Sequence, residues 1–336
     1  MRLVRALLLM LVVAGYAGAK PPRLKWQHNN CWVLSILYTL LSMPELTRYV
    51  LENEKSFASG SFEAAYASLV KAVTTNTGDK EHFWAKELKL VQETIVKAIN
   101  EANTSRYIFF DLEHELTATS FGDPRGYFNY LGFKNTSTGQ VPALFEKYLY
   151  GLFDIRWRPK NNDPTGPYVP AAPPEPYSLP VETEEWLFDY VLGSDDKGRL
   201  GAVPQYLVIS MRDILGSLLR ASLIPVHMDI APYVDKSLGA DRARYELVMM
   251  SVRKNKNHRV VYIKDPGDGE WYYADDYGSE FGVVPAPGWR PNEKGKIPWS
   301  ENWYPVYFMY RNIELQEKLR DLSGSLKTLT ARLGGK

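Results

Sequence analysis

The hydrophobic texture of this chain changes once along its length, and that change limits the folds open to it. In the first hundred residues apolar side chains recur at helical spacing: Leu34, Leu37 and Leu41, then Phe62, Tyr66, Leu69, Val70 and Val73, then Leu88, Leu90, Val91 and Ile95. After Thr183 they come as short β-branched or aromatic runs divided by turn residues: Tyr206-Leu-Val-Ile-Ser210, Pro225-Val-His-Met-Asp-Ile230, Tyr245-Glu-Leu-Val-Met-Met-Ser-Val252, Arg259-Val-Val-Tyr-Ile263, Trp271-Tyr-Tyr273 and Val306-Tyr-Phe-Met-Tyr310. The first pattern predicts helices over about 26–50, with a break at Pro44, and over 56–102; the second predicts strands. Helices followed by strands give an α+β fold rather than a doubly wound sheet. Between the two textures, residues 159–180 carry eight prolines and read as an exposed loop, since proline fits neither a helix interior nor a central strand. Asp265-Pro-Gly-Asp-Gly269 predicts a hairpin turn.

Composition narrows the function less than the fold. With 336 residues, 45% of them hydrophobic, the chain can bury a large core, and a net charge of +1 provides no field for nucleic acid. Residues 1–19 read as a secretory signal: Arg2 and Arg5 at the start, an apolar middle, and Ala17-Gly18-Ala19 as the cleavage site. A cleaved, secreted chain is therefore expected, with an uncleaved anchor as the rival, and no other segment has the length of a membrane span. At the other end, Leu315, Leu319, Leu322, Leu326, Leu329 and Leu333 alternate by four and three, giving a C-terminal helix over 313–336 with the seam spacing of a short coiled coil. The reading between these two ends is one domain over 20–312.

Cys31 is the only cysteine, so an exported chain can form no internal disulfide and no cysteine zinc site. No metal or cofactor is expected. A lone Cys at a helix start can be an inert buried residue. It can also be a nucleophile, because the positive end of the helix dipole favours a thiolate there. A distant imidazole, His258, is followed seventeen residues later by Asp275 in Trp271-Tyr-Tyr-Ala-Asp275-Asp276. Thiol, imidazole and carboxylate are the parts of a cysteine hydrolase: the imidazole takes the thiol proton, and the carboxylate orients the imidazole.

The order of these segments resembles that of the ubiquitin-specific proteases, papain-like cysteine peptidases that cut after the C-terminal glycine of ubiquitin. Asn29-Asn30-Cys31-Trp32-Val33-Leu34-Ser35, running on to Pro44-Glu45-Leu46, is similar to their Cys box. Tyr245-Glu-Leu247, His258-Arg259, Tyr262 and Trp271-Tyr-Tyr-Ala-Asp275-Asp276 resemble their His box. Weaker likenesses follow the same order: Gly122-Asp123-Pro-Arg-Gly-Tyr127-Phe-Asn-Tyr-Leu131, Pro204-Gln-Tyr-Leu-Val-Ile-Ser-Met-Arg212, Met228-Asp-Ile-Ala-Pro-Tyr-Val234 and Tyr304-Pro-Val-Tyr-Phe-Met-Tyr-Arg311.

The resemblance implies a papain-like fold with its active site in a cleft between a helical half and an antiparallel β half. It implies Cys31 as nucleophile, His258 as base and then acid, Asp275 as orienting carboxylate and Asp276 as its helper. It also implies that Asp123, Tyr262 and Trp271 contact the substrate, which would be ubiquitin or a ubiquitin-like protein and its conjugates. The chain departs from the family at several points. Trp26 stands where the family has an oxyanion-hole amide, leaving Gln27 as first candidate donor and Asn29 as second; losing one such donor costs about 2.7–4 kcal/mol in the transition state. The glycines before the His are absent, the glutamate expected near Gly126 is missing, and there are no zinc-holding Cys pairs for a fingers region over 145–200. A weak or inactive ubiquitin-binding relative, and a secreted cysteine peptidase with another protein substrate, are the alternatives. Because ubiquitin lives mainly inside the eukaryotic cytosol, export would fit delivery into a host cell.

If the leader is cleaved, Edman sequencing of the secreted chain begins at Lys20; a mature chain that retains residues 1–19 overturns that reading.

Overall fold

The computed structural model describes residues 21–22, 24, 30–75, 85–104, 156–158, 169–170, 199–200, 203–210, 226–238, 243–253, 258–265, 269–275, 282–285 and 304–314. Helix α1 (Cys31–Leu41) and helix α2 (Pro44–Asn53) meet at the Pro44 break, with Pro44 in the first turn of α2, where its missing N–H costs nothing. Helices α3 (Phe62–Thr75) and α4 (Ala85–Thr104) follow. The predicted helix over 56–102 starts later than expected: a short 3-10 turn, Glu54–Ser56, ends α2, and Gly60 takes a positive φ of 77° ahead of α3.

Three short strands, β1 (Arg156–Arg158), β2 (Val169–Pro170) and β3 (Arg199–Leu200), form a small antiparallel sheet in the order β2-β1-β3. The proline-rich stretch is thus not loop throughout. Its strand β2 lies at an edge, the place where a proline breaks no ladder.

The main sheet has seven strands: β4 (Tyr206–Ser210), β5 (His227–Asp229), β6 (Arg244–Arg253), β7 (Arg259–Lys264), β8 (Trp271–Asp275), β9 (Gly282–Pro285) and β10 (Tyr304–Asn312). Their order is β4-β10-β6-β7-β8-β9, with β5 paired to β6 beside β7, and every pairing is antiparallel. The six predicted runs all became strands; β9 was missed because Gly-Val-Val-Pro is too short to carry an alternation signal. The predicted hairpin is present: Asp265 and Glu270 bond through the backbone, and Gly269 has a φ of 74°. Of the C-terminal helix, 313–314 are helical and the remainder lies outside the described residues, as do the signal segment and the family-like stretch 122–131. Among the described residues, no helix is long and apolar enough to cross a membrane.

All eleven residues of α1 are buried. A helix apolar all round belongs in a core, and α1 packs on β7 with α2 beside it, α3 on α2 and α4 on α3. The sheet face that joins this core carries Val248, Met249, Val261, Ile263, Ala274, Val306, Tyr307 and Met309. Two adjacent pairs in that set, Val248/Met249 and Val306/Tyr307, break strict alternation. Register shifts at Pro305/Tyr307 and Met309/Tyr310 explain them, since each bulge adds one unpaired residue to a strand.

A polar seam fixes α1 along this face. The Ser251 hydroxyl donates to Ser35 Oγ at 3.3 Å, and Ser35 Oγ donates to the Cys31 carbonyl at 3.0 Å. Tyr307 donates to the Ser35 carbonyl at 2.8 Å, with its oxygen 2.7 Å from Thr39 Oγ1. Apolar contact alone would let a helix slide or roll; paired buried hydroxyls penalise both, because each misfit strands a polar group. Replacing Tyr307 with Phe is expected to lower the unfolding free energy by about 1–2 kcal/mol in a urea titration, with the slope unchanged; an unchanged midpoint would show that the seam does not hold α1.

Candidate active site

The seam also sets how far along the sheet the N-terminus of α1 reaches. Thr39 sits against Met249, which is opposite Ile263, and Ser35 sits against Ser251, which is opposite Val261. Four helical residues advance about 6 Å and two strand residues about 6.7 Å, so helix and strands run nearly in step. A further step of the same size points the start of α1 toward the end of the sheet where Arg253 and Arg259 are opposed, with His258 immediately before β7. On the next strand Ala274 is opposite Val261, so Asp275 belongs to the same end of the sheet. The register of β7 and β8 thus brings His258 and Asp275 to one end of the sheet, the end toward which α1 starts.

His258 and Asp275 are in direct contact, with Nε2 2.7 Å from Oδ1. An ionised carboxylate only accepts, so Nε2 carries the proton and the lone pair of the neutral ring lies on Nδ1. The second carboxylate oxygen, Oδ2, accepts from the Tyr273 hydroxyl at 2.6 Å. Asp275 is 3% exposed, so its charge is held by these hydrogen bonds rather than by bulk water. Tyr262 is opposite Tyr273 on β7, their ring centres 5.1 Å apart. Burial, and after it the Asp275 carboxylate, pushes the Tyr262 phenol well above its ordinary range.

Cys31 is itself buried, 4% exposed, at the first position of α1. The first turn of α1 contains no acidic residue, so nothing there opposes negative charge at the helix start. Asn30, just before it, does not cap the helix with its side chain. Instead its Nδ2 donates to Gln92 Oε1 of α4 at 3.4 Å, and both residues are buried. That pair, and the Tyr273 contact, were missed by sequence reasoning. Alternation along β8 carried a signal for Tyr273, which shares the face of Asp275 two residues on; nothing local marked Gln92, 62 residues from its partner.

Of the other expected site residues, Tyr262 is beside Asp275, whereas Trp271 is opposite Lys264 at the far end of β8. Gln27, Asn29, Asp123 and Asp276 lie outside the described residues. Among the described residues, no group of His, Cys, Asp and Glu could hold a metal ion.

Residues 23–280 match the family model of the ubiquitin carboxyl-terminal hydrolases. The chain belongs to the ubiquitin carboxyl-terminal hydrolase family. No curated protein sequence matches it. Among solved structures it is similar to that of the Ubp8-Sgf11-Sgf73-Sus1 SAGA DUB module, with a TM-score of 0.52 at 15% identity, over 89% of this chain and 68% of that one. At that identity the likeness is one of fold, and the fold is the papain-like α+β arrangement of this hydrolase family. The helices stand in the N-terminal part and the antiparallel sheet in the C-terminal part, as expected.

The perturbed phenols of this hydrolase-family chain give a pH test. Burial raises Tyr245 as well as Tyr262, while the ordinary phenol value in the unfolded chain is 10.0. A folded value above the unfolded one gives stability that is complete below that ordinary value and lost as pH rises through the folded one. Chemical denaturation is therefore expected to show stability falling with pH above about 10, less steeply in Tyr262→Phe than in the parent; equal slopes would contradict it.

Proposed function

We propose that this chain is a thiol-dependent hydrolase that cleaves after the C-terminal glycine of ubiquitin or a ubiquitin-like protein, with Cys31, His258 and Asp275 as its triad. The observation that carries the reading is the 2.7 Å contact between His258 Nε2 and Asp275 Oδ1, at the end of the sheet toward which α1 starts with Cys31, in a member of this family. With Nε2 turned to the carboxylate, Nδ1 is the nitrogen that serves the sulfur. It takes the thiol proton as Sγ attacks the glycine carbonyl, then passes that proton to the leaving amine as the thioester forms. Water deprotonated at the same nitrogen hydrolyses the thioester and frees the tail. Backbone N–H groups at the start of α1 would stabilise the oxyanion, with Gln27 first and Asn29 second as side-chain donors. Asp276 would support Asp275 and Asp123 would contact the substrate; Tyr262 and Trp271, expected to do so too, are buried and offer a substrate little surface.

The burial of Cys31 bears on substrate choice. A sulfur at 4% exposure suits a tail whose last residues lack side chains, which is the chemistry of a Gly-Gly terminus. The same burial favours a second reading, a relative that binds ubiquitin without cutting it, since sequestered thiols are commonly inert.

A ubiquitin bearing a C-terminal electrophile separates the two. The parent is expected to form a covalent adduct, Cys31→Ala none, and His258→Ala to label roughly 10²-fold or more slowly. Ubiquitin binding without an adduct would leave the non-cleaving reading, and an adduct that persists in Cys31→Ala would exclude the triad.

A further inference from the structure

Asp275 has two carboxylate oxygens, and His258 engages Oδ1. Tyr273 donates to the other at 2.6 Å, within a segment where 273 and 275 share one face of β8. The phenol cannot swing freely. Its ring stands against Tyr262 at 5.1 Å, tilted by 47°, and Tyr262 is itself buried. Two contacts on two oxygens define the plane of a carboxylate, whereas one contact leaves it free to rotate about its last bond. Asp275 is 3% exposed, so bulk water contributes little to fixing its carboxylate.

We propose that Tyr273 is a positioning residue: its hydroxyl locks the Asp275 carboxylate so that Oδ1 faces His258 Nε2, and it draws to Oδ2 part of the charge that would otherwise act on the imidazole. This rests on the reading of Cys31, His258 and Asp275 as the reacting set. A carboxylate stripped of a donor keeps more of its charge for its remaining partner and holds an imidazolium more firmly. Tyr273 therefore tempers the basicity of His258 while fixing its orientation. The other titratable groups on the elements around the pair are Cys31 and Tyr38 on α1, Arg244, Tyr245, Glu246 and Arg253 on β6, Arg259, Tyr262 and Lys264 on β7 and Tyr272 on β8; β9 contributes none, and Lys264 is paired with Glu246.

The His258 titration, followed by imidazole NMR in a Cys31→Ala background, reads this directly and needs no substrate. The resonance is assigned by its loss in His258→Gln. Adding Tyr273→Phe, which keeps the ring against Tyr262, is expected to move the midpoint upward by about half a pH unit. Tyr273→Gln, which returns a donor without the phenol, brings it back toward the parent value. With the thiol present, Tyr273→Phe is expected to slow labelling by the ubiquitin electrophile roughly 3- to 10-fold. An unmoved or lowered midpoint in Tyr273→Phe overturns the proposal, as does a Gln variant that behaves like Phe. An unmoved midpoint in a chain that labels normally removes the role of Tyr273 and leaves the hydrolase. A raised midpoint in a chain that never labels supports the Tyr273 contact and removes the hydrolase instead.

Discussion

The contact on which the rest depends is the seating of α1 on the sheet through Ser35, Thr39, Ser251 and Tyr307. A helix buried on all sides has no amphipathic stripe to tell it which way to face. Hydrophobic burial pulls it into the core but is non-directional, so it fixes neither roll nor axial position. The buried hydroxyls supply both. Because helix and strand rise nearly in step over this distance, setting Ser35 against Ser251 also sets the end of the sheet toward which the N-terminus is directed, the end that His258 precedes on β7. Core packing and the proposed chemistry are thus consequences of one register.

The second constraint is electrostatic. Asp275 is nearly sequestered, and a bare carboxylate there would be costly; His258 and Tyr273 each give it a hydrogen bond. The bond from His258 leaves Nδ1 as the basic nitrogen, which is the arrangement that proton exchange with a thiol requires. Tyr262 and Tyr273 wall the carboxylate on one side, and the rise of the Tyr262 phenol registers both its burial and that nearby charge. The β7–β8 hairpin is what makes this compact: the turn closed by Asp265 and Gly269 brings residues seventeen apart into contact.

Much of this was legible in the sequence, for identifiable reasons. Proline at 44, the helical spacing of Leu34, Leu37 and Leu41 and the Asp-Pro-Gly-Asp-Gly turn are local signals, and they produced the break, the helix and the hairpin predicted from them. The order of the boxes pointed to the family that residues 23–280 match. What could not be read depends on long-range register. Asn30 meeting Gln92 and Thr39 meeting Tyr307 join residues 62 and 268 apart, and no periodicity encodes such pairs. The strand β2 was hidden because proline argues against strands in general, though not against short edge strands. The bulges in β6 and β10 put neighbours such as Val306 and Tyr307 into one core, where alternation would have sent them to opposite faces.

The central claim is that folding couples the Cys31 sulfur to the His258 imidazole, and a small alkylating reagent reports it without any requirement for ubiquitin recognition. The measurement is the second-order rate of Cys31 alkylation at neutral pH in the parent, in His258→Ala and in Asp275→Ala, each checked for intact folding. The account predicts a fast parent, a large loss of rate in His258→Ala and a smaller loss in Asp275→Ala. Equal rates in all three, or a parent thiol that reacts only after unfolding, would contradict it.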